Sequence, residues 1–358
     1  MKAALIGGGF SGNIHAAALR AAGIGLEAVV TSRPDTAKAF AEKWGIPRWG
    51  TDPGTALGEG IDAVHICTPP ALHASYIKEA LAAGKLVLCD KPLCFSPEQA
   101  REIAALARKS GNRCAVVYNV RCHMAVRRAR ELIQSGAFGR PLLIHGSYLQ
   151  EFHLLPAAYD WRYDPETSGG MRAVTEIGSH WFDTVQYVSG IRISAVSALF
   201  KSFSPDRILK DGIMEKASPG KPEDGQRIRV DSEDAAVISL RFENGAAGSV
   251  LLSEVSQGRG NRIAFEITCE EGNLWWNGEE NNLLHTAKRG EGIRTEVFAF
   301  GNGFQDTFAE LFCSFYERGE GPSFEEGAQV TEVCAAAARS AAAGSAWMEV
   351  PLLRQTCI

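Results

Sequence analysis

The stretch AALIGGGFSG, residues 3–12, decides the fold of the N-terminal part, because it joins an apolar run to glycines spaced as Gly7-x-Gly9-x-x-Gly12. In such a turn Gly7 permits the tight bend, Gly9 lets the backbone approach a pyrophosphate, and Gly12 allows close packing of helix and strand. The N-terminus of the following helix adds partial positive charge. Glycine-rich turns are common, so the pattern indicates a dinucleotide-binding turn only because it lies between a predicted strand and a predicted helix.

The first 120 residues alternate between short apolar runs and amphipathic segments. Apolar strands that alternate with helices are typical of a parallel sheet covered by helices on both faces. The sequence therefore predicts an α/β domain of the Rossmann type that begins with the glycine turn. The predicted strands are residues 3–6, 26–30, 63–67, 86–89 and 114–118, and the predicted helices are 12–22, 35–44, 73–83 and 97–109.

Beyond about residue 121 the pattern changes to long runs in which apolar and polar residues alternate. Alternation of this kind, with turn signals such as Glu243-Asn244-Gly245, indicates an antiparallel sheet with one wet face. We expect a second α/β domain built on a large, open, mainly antiparallel sheet. Its predicted strands are residues 142–150, 193–203, 235–242, 248–255 and 262–268.

Three other segments complete this second part. One strong helix is predicted around residues 174–188, residues 204–229 are interpreted as a long excursion, and an alanine-rich helix covers 329–344. We place the domains at 1–121 and 122–358, with the C-terminal helix able to pack back on the first domain.

Composition excludes several classes of partner. The 358 residues are 45% hydrophobic and 22% charged, as in ordinary soluble globular proteins. The net charge of −5 argues against nucleic acid or an anionic membrane, which need clustered Lys and Arg. We interpret the densest basic run, Arg127 to Arg130, as a solvated helix face.

The cysteines and the N-terminus predict a cytoplasmic protein. Nine scattered cysteines without a CxxC pair favour neither a disulfide framework nor a zinc site, which is typical of a reducing compartment. No apolar run approaches the roughly 18 residues of a membrane span. The N-terminus enters a strand directly, without the apolar region of a signal peptide.

The end of the second strand bears on the choice of dinucleotide. A carboxylate there would hold the ribose of NAD, but the chain continues as Thr31, Ser32 and Arg33. Arg33 could bind a 2′-phosphate with Ser32 as a hydrogen-bond partner, which favours NADP over NAD. Arg33 could equally stack on adenine or remain in solvent.

Two later strand ends should complete the nucleotide cleft, CTPPALH at 67–73 and CDKPLC at 89–94. Open α/β sheets bind ligands at the carboxyl ends of their strands. Lys91 is placed to face a nicotinamide, where a cationic ring and partial burial would favour the uncharged amine and hence proton transfer. Taken alone, these six residues suit a surface lysine at a turn equally well.

TEIGSHWFD, residues 175–183, places Glu176 four residues before His180 and Asp183 three after it. Such spacing puts the three polar side chains on one helical face, where they could hold a metal, move a proton or pair structurally. A catalytic zinc needs at least three ligands, and no third donor stands at a recognisable spacing, so we expect no metal. We interpret Asp183 as a hydrogen-bonding or capping residue.

These motifs together resemble the Gfo/Idh/MocA oxidoreductases, a family that includes glucose–fructose oxidoreductase and inositol dehydrogenase. The likeness runs along nearly the whole chain. The matching segments are the glycine loop with His15, TPPALH, AAGKLVLCDKP, VYNVR (117–121), SGAFGRP (135–141), GGMRAVTEIGSHWFD and the closing MEVPL.

The resemblance implies a Rossmann domain followed by a substrate-binding and oligomerisation domain, whose open sheet often mediates dimers or tetramers. It implies Lys91 as the catalytic lysine, His180 as the residue that relays or donates the substrate proton, and Glu176 as the acid that assists it. Together with the motifs above, the expected cofactor-binding residues are Gly7, Gly9, Phe10, Ser11, Gly12, Ser32, Arg33, Thr68, Pro69, His73, Asp90, Lys91, Asn119 and Arg162.

The segment 148–166 is rich in aromatic residues and acids, which suits the apolar faces and polar rims of a sugar. Some of these residues could instead pack under a loop. The expected substrate contacts are Lys91, Gln150, His153, Tyr159, Trp161, Glu176 and His180.

At two positions the chain departs from the family pattern by using an acidic side chain of a different length. Asp90 stands where the family uses glutamate, and Glu176 stands where it uses aspartate. Each changes the reach of a carboxylate by one methylene, and catalysis is sensitive to displacements of about 1 Å. Both charges are kept, so we expect activity with an altered placement of the substrate.

The sequence thus predicts an NAD(P)-dependent dehydrogenase or reductase that acts on a secondary hydroxyl or carbonyl of a sugar or cyclitol. Two alternatives stay open. One is a redox-neutral glycosidase that keeps NAD bound and oxidises its substrate transiently. The other is a non-catalytic sensor of sugar and dinucleotide, which the presence of Lys91 and His180 disfavours.

Overall fold

The computed structural model describes residues 1–218, 224–300 and 303–353. These residues divide into two units. Residues 1–123, 303–331 and 353 form the first unit, and residues 124–218, 224–300 and 332–352 form the second.

The first unit is built on a six-stranded parallel sheet in the order β3-β2-β1-β4-β5-β6. The strand order reverses between β1 and β4, which creates a crevice at their carboxyl ends. All five predicted strands are present, and the short β3 is an addition. The strands are β1 Lys2–Ile6, β2 Gly25–Val30, β3 Arg48–Gly50, β4 Ala63–Ile66, β5 Leu86–Cys89 and β6 Cys114–Val116.

Helices connect these strands on both faces of the sheet, as the apolar pattern predicts. The start of α5 shows how the sequence sets a boundary: Pro97 occupies the first helical position and the Ser96 hydroxyl accepts the Gln99 N–H at 3.2 Å. The helices are α1 Phe10–Ala21, α2 Pro34–Trp44, α3 Gly54–Leu57, α4 His73–Ala82 and α5 Pro97–Ser110.

The second unit contains a large sheet of mainly antiparallel strands. Its order is β18-β17-β16-β15-β7-β14-β13-β9-β19, and only the β7–β14 pair is parallel among the described strands. The five predicted strands correspond to β7, β9, β13, β14 and β15. The strands of this unit are β7 Pro141–Leu149, β8 Ala157–Ala158, β9 Ile193–Lys201, β10 Asp206–Lys210, β11 Ile213–Lys216, β12 Gln226–Arg229, β13 Ala235–Phe242, β14 Ala247–Ser253, β15 Arg262–Cys269, β16 Asn273–Asn277, β17 Leu283–Ala287, β18 Arg294–Val297 and β19 Met348–Glu349.

One face of this sheet is covered by helix α8, Ser179–Ser189, which follows α6 Met124–Gln134 and α7 Pro165–Ser168 along the chain. Trp181 is fully buried on this face and donates its indole N–H to the Ala264 carbonyl at 2.9 Å. The approach requires glycine at position 146, because a Cβ there would lie 2.9 Å from the indole nitrogen. The packing fixes α8, and with it His180, against the sheet.

The excursion at 204–229 forms a second, small sheet in the order β12-β10-β11-β8. Residues 219–223 of this stretch lie outside the described residues. Charged residues at the exposed positions of these strands obscure the alternation of apolar and polar residues, so the sequence did not indicate strands there. Tyr163, Met214 and Val230 form a small apolar cluster under the sheet.

The chain then returns to the first unit through helix α9, Phe304–Cys313, and continues into α10, Phe324–Ala342. Phe312 of α9 packs edge-on against His15 and Phe308 packs against it at a tilt, and His15 lies with His65 in the core of that unit. The alanine-rich helix predicted at 329–344 is confirmed as part of α10, which ends two residues earlier at Ala342, whereas α9 was not predicted.

Candidate functional site

The glycine turn in the first unit shows why its three glycines are needed. Gly7 has a positive φ of 109°, and a Cβ there would lie 2.5 Å from the carbonyl oxygen of Cys67 at the end of β4. A Cβ at Gly12 would lie 2.3 Å from the Gly7 carbonyl oxygen, so α1 can approach the turn only without a side chain. A Cβ at Gly9 would meet no atom within 4 Å. Gly9 therefore borders open space in which a ligand can approach the backbone.

Helix α1 begins beside this space. Gly9 is its N-cap and contributes no side chain that could occupy the first N–H groups. Phe10 is 74% exposed and Ser11 half-buried in the first turn. These features fit a pyrophosphate at the helix N-terminus.

At the end of β2, Ser32 and Arg33 are both exposed. The Arg33 Nε lies 3.6 Å from an Asp35 carboxylate oxygen, and both side chains are more than two-thirds exposed. An ion pair so exposed contributes little to stability, and a competing anion can displace it. A guanidinium is thus available at the position where a dinucleotide ribose would lie.

His73 joins the two turns that follow β4 and β5. Its imidazole is fully buried, with Nε2 2.8 Å from the Thr68 carbonyl oxygen and Nδ1 3.0 Å from that of Pro92. Burial, opposed by the nearby Asp90, lowers the pKa of His73, so the neutral ring donates to one carbonyl at a time. His73 therefore holds the turns together. Pro69, next in the chain to Thr68, is half-buried in the first turn.

Asp90 and Lys91 form the second of these turns. One Asp90 carboxylate oxygen accepts the Lys91 N–H at 2.8 Å, and the Lys91–Pro92 peptide bond is cis. Both residues are half-buried. The Asp90 carboxylate and the Lys91 amine thus belong to the same carboxyl edge of the sheet as the glycine turn.

Two buried polar atoms near these strand ends have no hydrogen-bond partner among the described residues, the Thr68 hydroxyl and the Asn119 side-chain oxygen. Asn119 is buried and donates its amide to the hydroxyl of Thr307, on α9, at 2.8 Å. Unsatisfied buried groups are costly, so both atoms point to a polar ligand. With the open space at Gly9, they show that the residues present fit a dinucleotide.

In the second unit, Glu176 lies in a helical turn that is wider than an α-turn. Residues Val174–Gly178 form a single π-helical turn that leads into α8, where an α-helix was expected. Such π-turns occur frequently at functional sites. The Glu176 side chain is 14% exposed, and its Oε2 accepts the Arg162 Nε–H at 3.0 Å.

Arg162 is tied to two acids. Its Nη1 donates to Asp160 Oδ2 at 3.0 Å, and its guanidinium lies 4.5 Å from the centre of the Trp161 ring. Burial opposes the charged form of Arg162, but the carboxylates of Glu176 and Asp160 outweigh it and raise the pKa of the guanidinium. Arg162 therefore stays charged and links the aromatic segment to Glu176.

His180 is half-buried, with its ring centre 6.3 Å from that of Tyr148. Tyr148 donates its hydroxyl to the Asn261 side-chain oxygen at 2.7 Å, and Gln150 donates its amide to the same atom at 2.8 Å. Burial raises the pKa of Tyr148, which therefore remains a neutral hydrogen-bonding group. Gln150, one of the predicted substrate contacts, is thus held by the same oxygen as Tyr148, whose ring lies next to His180.

His153 and Tyr159 lie on a second aromatic group around Tyr163. Nδ1 of His153 is hydrogen-bonded to the Tyr163 hydroxyl, and the Tyr159 ring stacks on Tyr163 with the ring centres 5.9 Å apart. Burial, together with the charges of Arg172 and Arg162, lowers the pKa of His153 to about 3. His153 is therefore neutral at ordinary pH, whereas Tyr159 presents an exposed face.

A buried ionic network in the second unit was not predicted. Its members share near-complete burial and direct ion pairs or hydrogen bonds to Arg172 or Asp234. A usable signal was present, because its three acids border apolar strand segments. The members are Arg172, Arg207, Glu233, Asp234 and Glu254.

No three acidic, cysteine or histidine side chains within the described ranges are grouped so that they could hold a metal ion. Over the same residues, no helix combines the length and apolar character needed to cross a membrane.

The parallel sheet, its reversal of strand order and the glycine turn define a dinucleotide-binding protein of the Rossmann class, extended by a unit with a large antiparallel sheet. A family model described as an oxidoreductase family with an NAD-binding Rossmann fold matches residues 1–118, and a Gfo/Idh/MocA C-terminal domain model matches residues 126–275. The chain belongs to the Gfo/Idh/MocA family of oxidoreductases.

Known proteins resemble the chain over different lengths. Levoglucosan dehydrogenase of Pseudarthrobacter phenanthrenivorans is 30% identical over 386 aligned residues, which cover 98% of each chain. A solved structure of levoglucosan dehydrogenase in complex with NADH and levoglucosan has a TM-score of 0.88 at 29% identity and covers 98% of this chain and 99% of that one. The NADP(+)-linked D-xylose 1-dehydrogenase of Haloarcula marismortui is 35% identical over 134 residues, 37% of each chain.

Proposed function

We propose that this enzyme transfers hydride between a nicotinamide dinucleotide and a secondary hydroxyl or carbonyl of a sugar or cyclitol. The observation that carries the proposal is the carboxyl edge of the parallel sheet, where Gly9 borders open space and Thr68 and Asn119 keep polar atoms that have no partner in the described part of the chain. The similarity to levoglucosan dehydrogenase along 98% of the chain supports a sugar substrate.

The proposed chemistry balances hydride and proton. Nicotinamide, when bound, accepts or supplies the hydride at C4. In the oxidation direction, Lys91 and His180 take up the hydroxyl proton as the carbon loses its hydride, and in reduction they return it. Proton transfer by placed side chains contributes typically 100- to 10,000-fold to a rate. Glu176 binds substrate hydroxyls and assists His180. Arg162 fixes the position of the Glu176 carboxylate.

We further propose that the enzyme prefers NADP to NAD. The support is the chain after β2, where Ser32 and Arg33 are exposed and no carboxylate follows the strand directly. The exposed Arg33–Asp35 pair leaves the guanidinium able to bind a 2′-phosphate.

We also propose a homo-oligomer that forms through the outer face of the large sheet. Leu199, Val237 and Leu251 are aligned across three neighbouring strands and are 59%, 52% and 44% exposed. Contiguous exposed apolar surface of this kind marks an interaction site. A second copy of the chain is the proposed occupant, and the oligomer would be a dimer or a tetramer.

A cytoplasmic location is also part of the proposal. It is supported by the thiols of Cys67, Cys89 and Cys94, which are buried and form no disulfide within the described residues.

The test uses the purified full-length protein. Denaturation should release a nicotinamide dinucleotide that mass spectrometry identifies, and the reduced cofactor should accumulate when a panel of sugars, anhydrosugars and cyclitols is added with oxidised cofactor. Product formed without net reduction would instead establish the redox-neutral glycosidase. Binding of dinucleotide and sugar without any product would establish the sensor.

A further inference from the structure

The helical segment that carries Glu176 and His180 begins at Arg172, and a single distant residue holds that beginning. The Glu233 side-chain Oε1 accepts the N–H of Arg172 at 3.0 Å and that of Val174 at 2.8 Å. The N–H of Ala173, between them, is directed at the main-chain oxygen of Glu233 at 3.5 Å. Glu233 therefore receives three consecutive N–H groups that the helix itself cannot pair.

No other hydrogen-bond acceptor, such as water, can easily replace the Glu233 carboxylate at this helix start. Glu233 is 3% exposed and Arg172 is fully buried, so water cannot readily replace the carboxylate. A negative charge at the start of a helix is also favoured by the helix dipole. Loss of Glu233 would leave buried N–H groups unpaired, and the segment would have to shift to satisfy them.

The side chain of Arg172 is anchored from the same side. Its Nε donates to Glu254 Oε2 at 2.7 Å, and its Nη2 is bonded to Asp234 Oδ1. Asp234 accepts a second hydrogen bond, from Arg207 Nη2 at 3.1 Å. Main chain and side chain of Arg172 are thus held together, so this residue is a fixed point from which the segment starts.

A main-chain hydrogen bond makes the placement of Glu176 depend on that fixed point. The Glu176 N–H donates to the Arg172 carbonyl at 2.7 Å, a bond between residues four apart as in an α-helix, so Glu176 is one turn from the residue that Glu233 holds. His180 follows in α8. We propose that Glu233 is a positioning residue for Glu176 and His180, because it sets the point at which their helical segment begins. The inference rests on the proposed function of those two residues.

The experiment compares three substitutions at one position. Glu233→Ala removes the acceptor, Glu233→Asp shortens its reach by one methylene, and Glu233→Gln keeps an oxygen at the same reach. Burial raises the pKa of Glu233 to about 7, so the neutral form is accessible near neutral pH and glutamine is a fair mimic of it. Glu243 is the matched control, an exposed acid in the same unit whose Oε1 accepts the Arg192 N–H at 2.9 Å.

We expect Glu233→Ala and Glu233→Asp to lower kcat by about tenfold to a hundredfold, the scale of a displacement near 1 Å. The KM for the dinucleotide should stay unchanged, Glu233→Gln should keep kcat within about threefold of the wild type, and Glu243→Ala should have no effect. If the alanine variant does not fold, the aspartate and glutamine variants carry the comparison. Wild-type kcat in the aspartate variant, or equal losses in the glutamine and alanine variants, would overturn the proposal.

A second readout does not need turnover. Hydrogen exchange of the peptide that spans residues 172–180 should accelerate in Glu233→Asp and stay slow in Glu233→Gln and Glu243→Ala. If the wild-type enzyme proves inactive while the exchange rates follow this pattern, the proposed function is wrong but the role of Glu233 as the helix cap is supported. If the wild type is active and exchange does not change in Glu233→Asp, the cap fails alone.

Discussion

Glu176 and Arg162 form one ionic unit, with the Oε2 of the acid 3.0 Å from the Nε of the base. Asp160 holds the other end of the guanidinium at 3.0 Å, and Trp161 packs under it. The longer acid at position 176 therefore reaches a partner that is itself fixed. This arrangement gives a physical reason for glutamate where the family uses aspartate.

Shortening this acid should lower turnover more than stability. Glu176→Asp withdraws the carboxylate by about 1.5 Å, the length of one carbon–carbon bond. Because the pair is partly exposed, we expect a small change in the melting temperature but about a tenfold loss of kcat. Steady-state kinetics and thermal unfolding measure the two effects.

A double-mutant cycle with Arg162→Ala tests whether the two residues act together. From the kcat values of the two single variants and the double variant, we expect a coupling free energy of about 0.5–3 kcal/mol, as is usual for residues in contact. Glu166→Asp, at an exposed position in α7, serves as the control and should behave as the wild type. Additive losses in the cycle would show that Arg162 does not position Glu176.

Removing the proposed proton-transfer groups should lower turnover far more than it changes the affinity for cofactor. Lys91→Met and His180→Asn should each reduce kcat by about 100- to 10,000-fold, the usual contribution of acid–base catalysis. Dinucleotide affinity of His180→Asn, followed by protein fluorescence, should change by less than about threefold. Lys78→Met removes a lysine that pairs with Glu102 on the surface of the first unit and should leave kcat unchanged. A kcat within about threefold of wild type in either variant would remove that residue from the mechanism.

The glycine turn could be predicted because its requirement is visible in residue types. At Gly7 and Gly12 a Cβ would collide with backbone atoms, and such collisions leave glycine as the only choice. The network around Arg172 could not be predicted in the same way. Its partners Glu233 and Asp234 lie about sixty residues further along the chain, and charge alone does not specify pairing.

Helix α9 was missed although its signal is present. Phe304, Phe308, Leu311 and Phe312 recur at helical spacing, and Gly303 donates its N–H to the Asp306 carboxylate at 2.8 Å as in a helix start. The π-turn at Val174–Gly178 was expected to be α-helical for a different reason. A single wide turn has no residue signature and follows from the surrounding contacts.

Arg33 should control the choice of dinucleotide. Arg33→Ala removes the cation proposed to bind the 2′-phosphate, so kcat/KM should fall about tenfold or more with NADP and by less than about threefold with NAD. Lys38→Ala, an exposed cation in α2, is the control. Equal losses with both dinucleotides would mean that Arg33 contacts the shared adenosine instead.

A charge on the outer face of the large sheet should dissociate the proposed oligomer. Val237→Arg places an arginine between Leu199 and Leu251, where it would be buried without a partner in an interface. Light scattering after size exclusion should show a smaller species at equal concentration. Val297→Arg, at an exposed valine on the edge strand β18, should keep the wild-type mass. A monomeric wild-type protein would refute the interface directly.

The buried acid Glu254 should make the protein less stable as the pH rises above neutral. Burial raises its pKa from 4.5 to about 8, although the Arg172 guanidinium opposes the shift and the charge of Glu176 adds to it. The nearest histidine, His153, has its Nε2 3.9 Å from Glu254 Oε1 and is neutral throughout this range. The folded protein therefore holds a proton that the unfolded chain has lost between pH 4.5 and 8.

This bound proton determines the direction in which stability changes with pH. The stabilisation is present at low pH and is lost as the pH rises towards 8, and the free energy of unfolding falls by about 1.4 kcal/mol per unit of pH for one group. The pKa of His15 and that of His153 are lowered by burial to about 4 and about 3, so their opposite contributions end near pH 6.5, the ordinary histidine value. Above that pH, Glu254 and Glu233 remain as the carboxylic acids among the described residues whose pKa values are raised. The free energy of unfolding should fall by about 1–2 kcal/mol from Glu254 alone between pH 6.5 and 8.

Glu254→Gln replaces the titrating acid with a neutral group that can still accept the Arg172 hydrogen bond. Denaturant unfolding at a series of pH values should therefore show a flatter decline for this variant than for the wild type, whereas Glu243→Gln, which removes an exposed acid, should keep the wild-type slope. Unfolding should be followed by the fluorescence of Trp181 and Trp276, which are fully buried in the second unit and report on its transition. Parallel curves for the wild type and Glu254→Gln would show that Glu254 is ionised in the folded protein, paired with Arg172 at neutral pH.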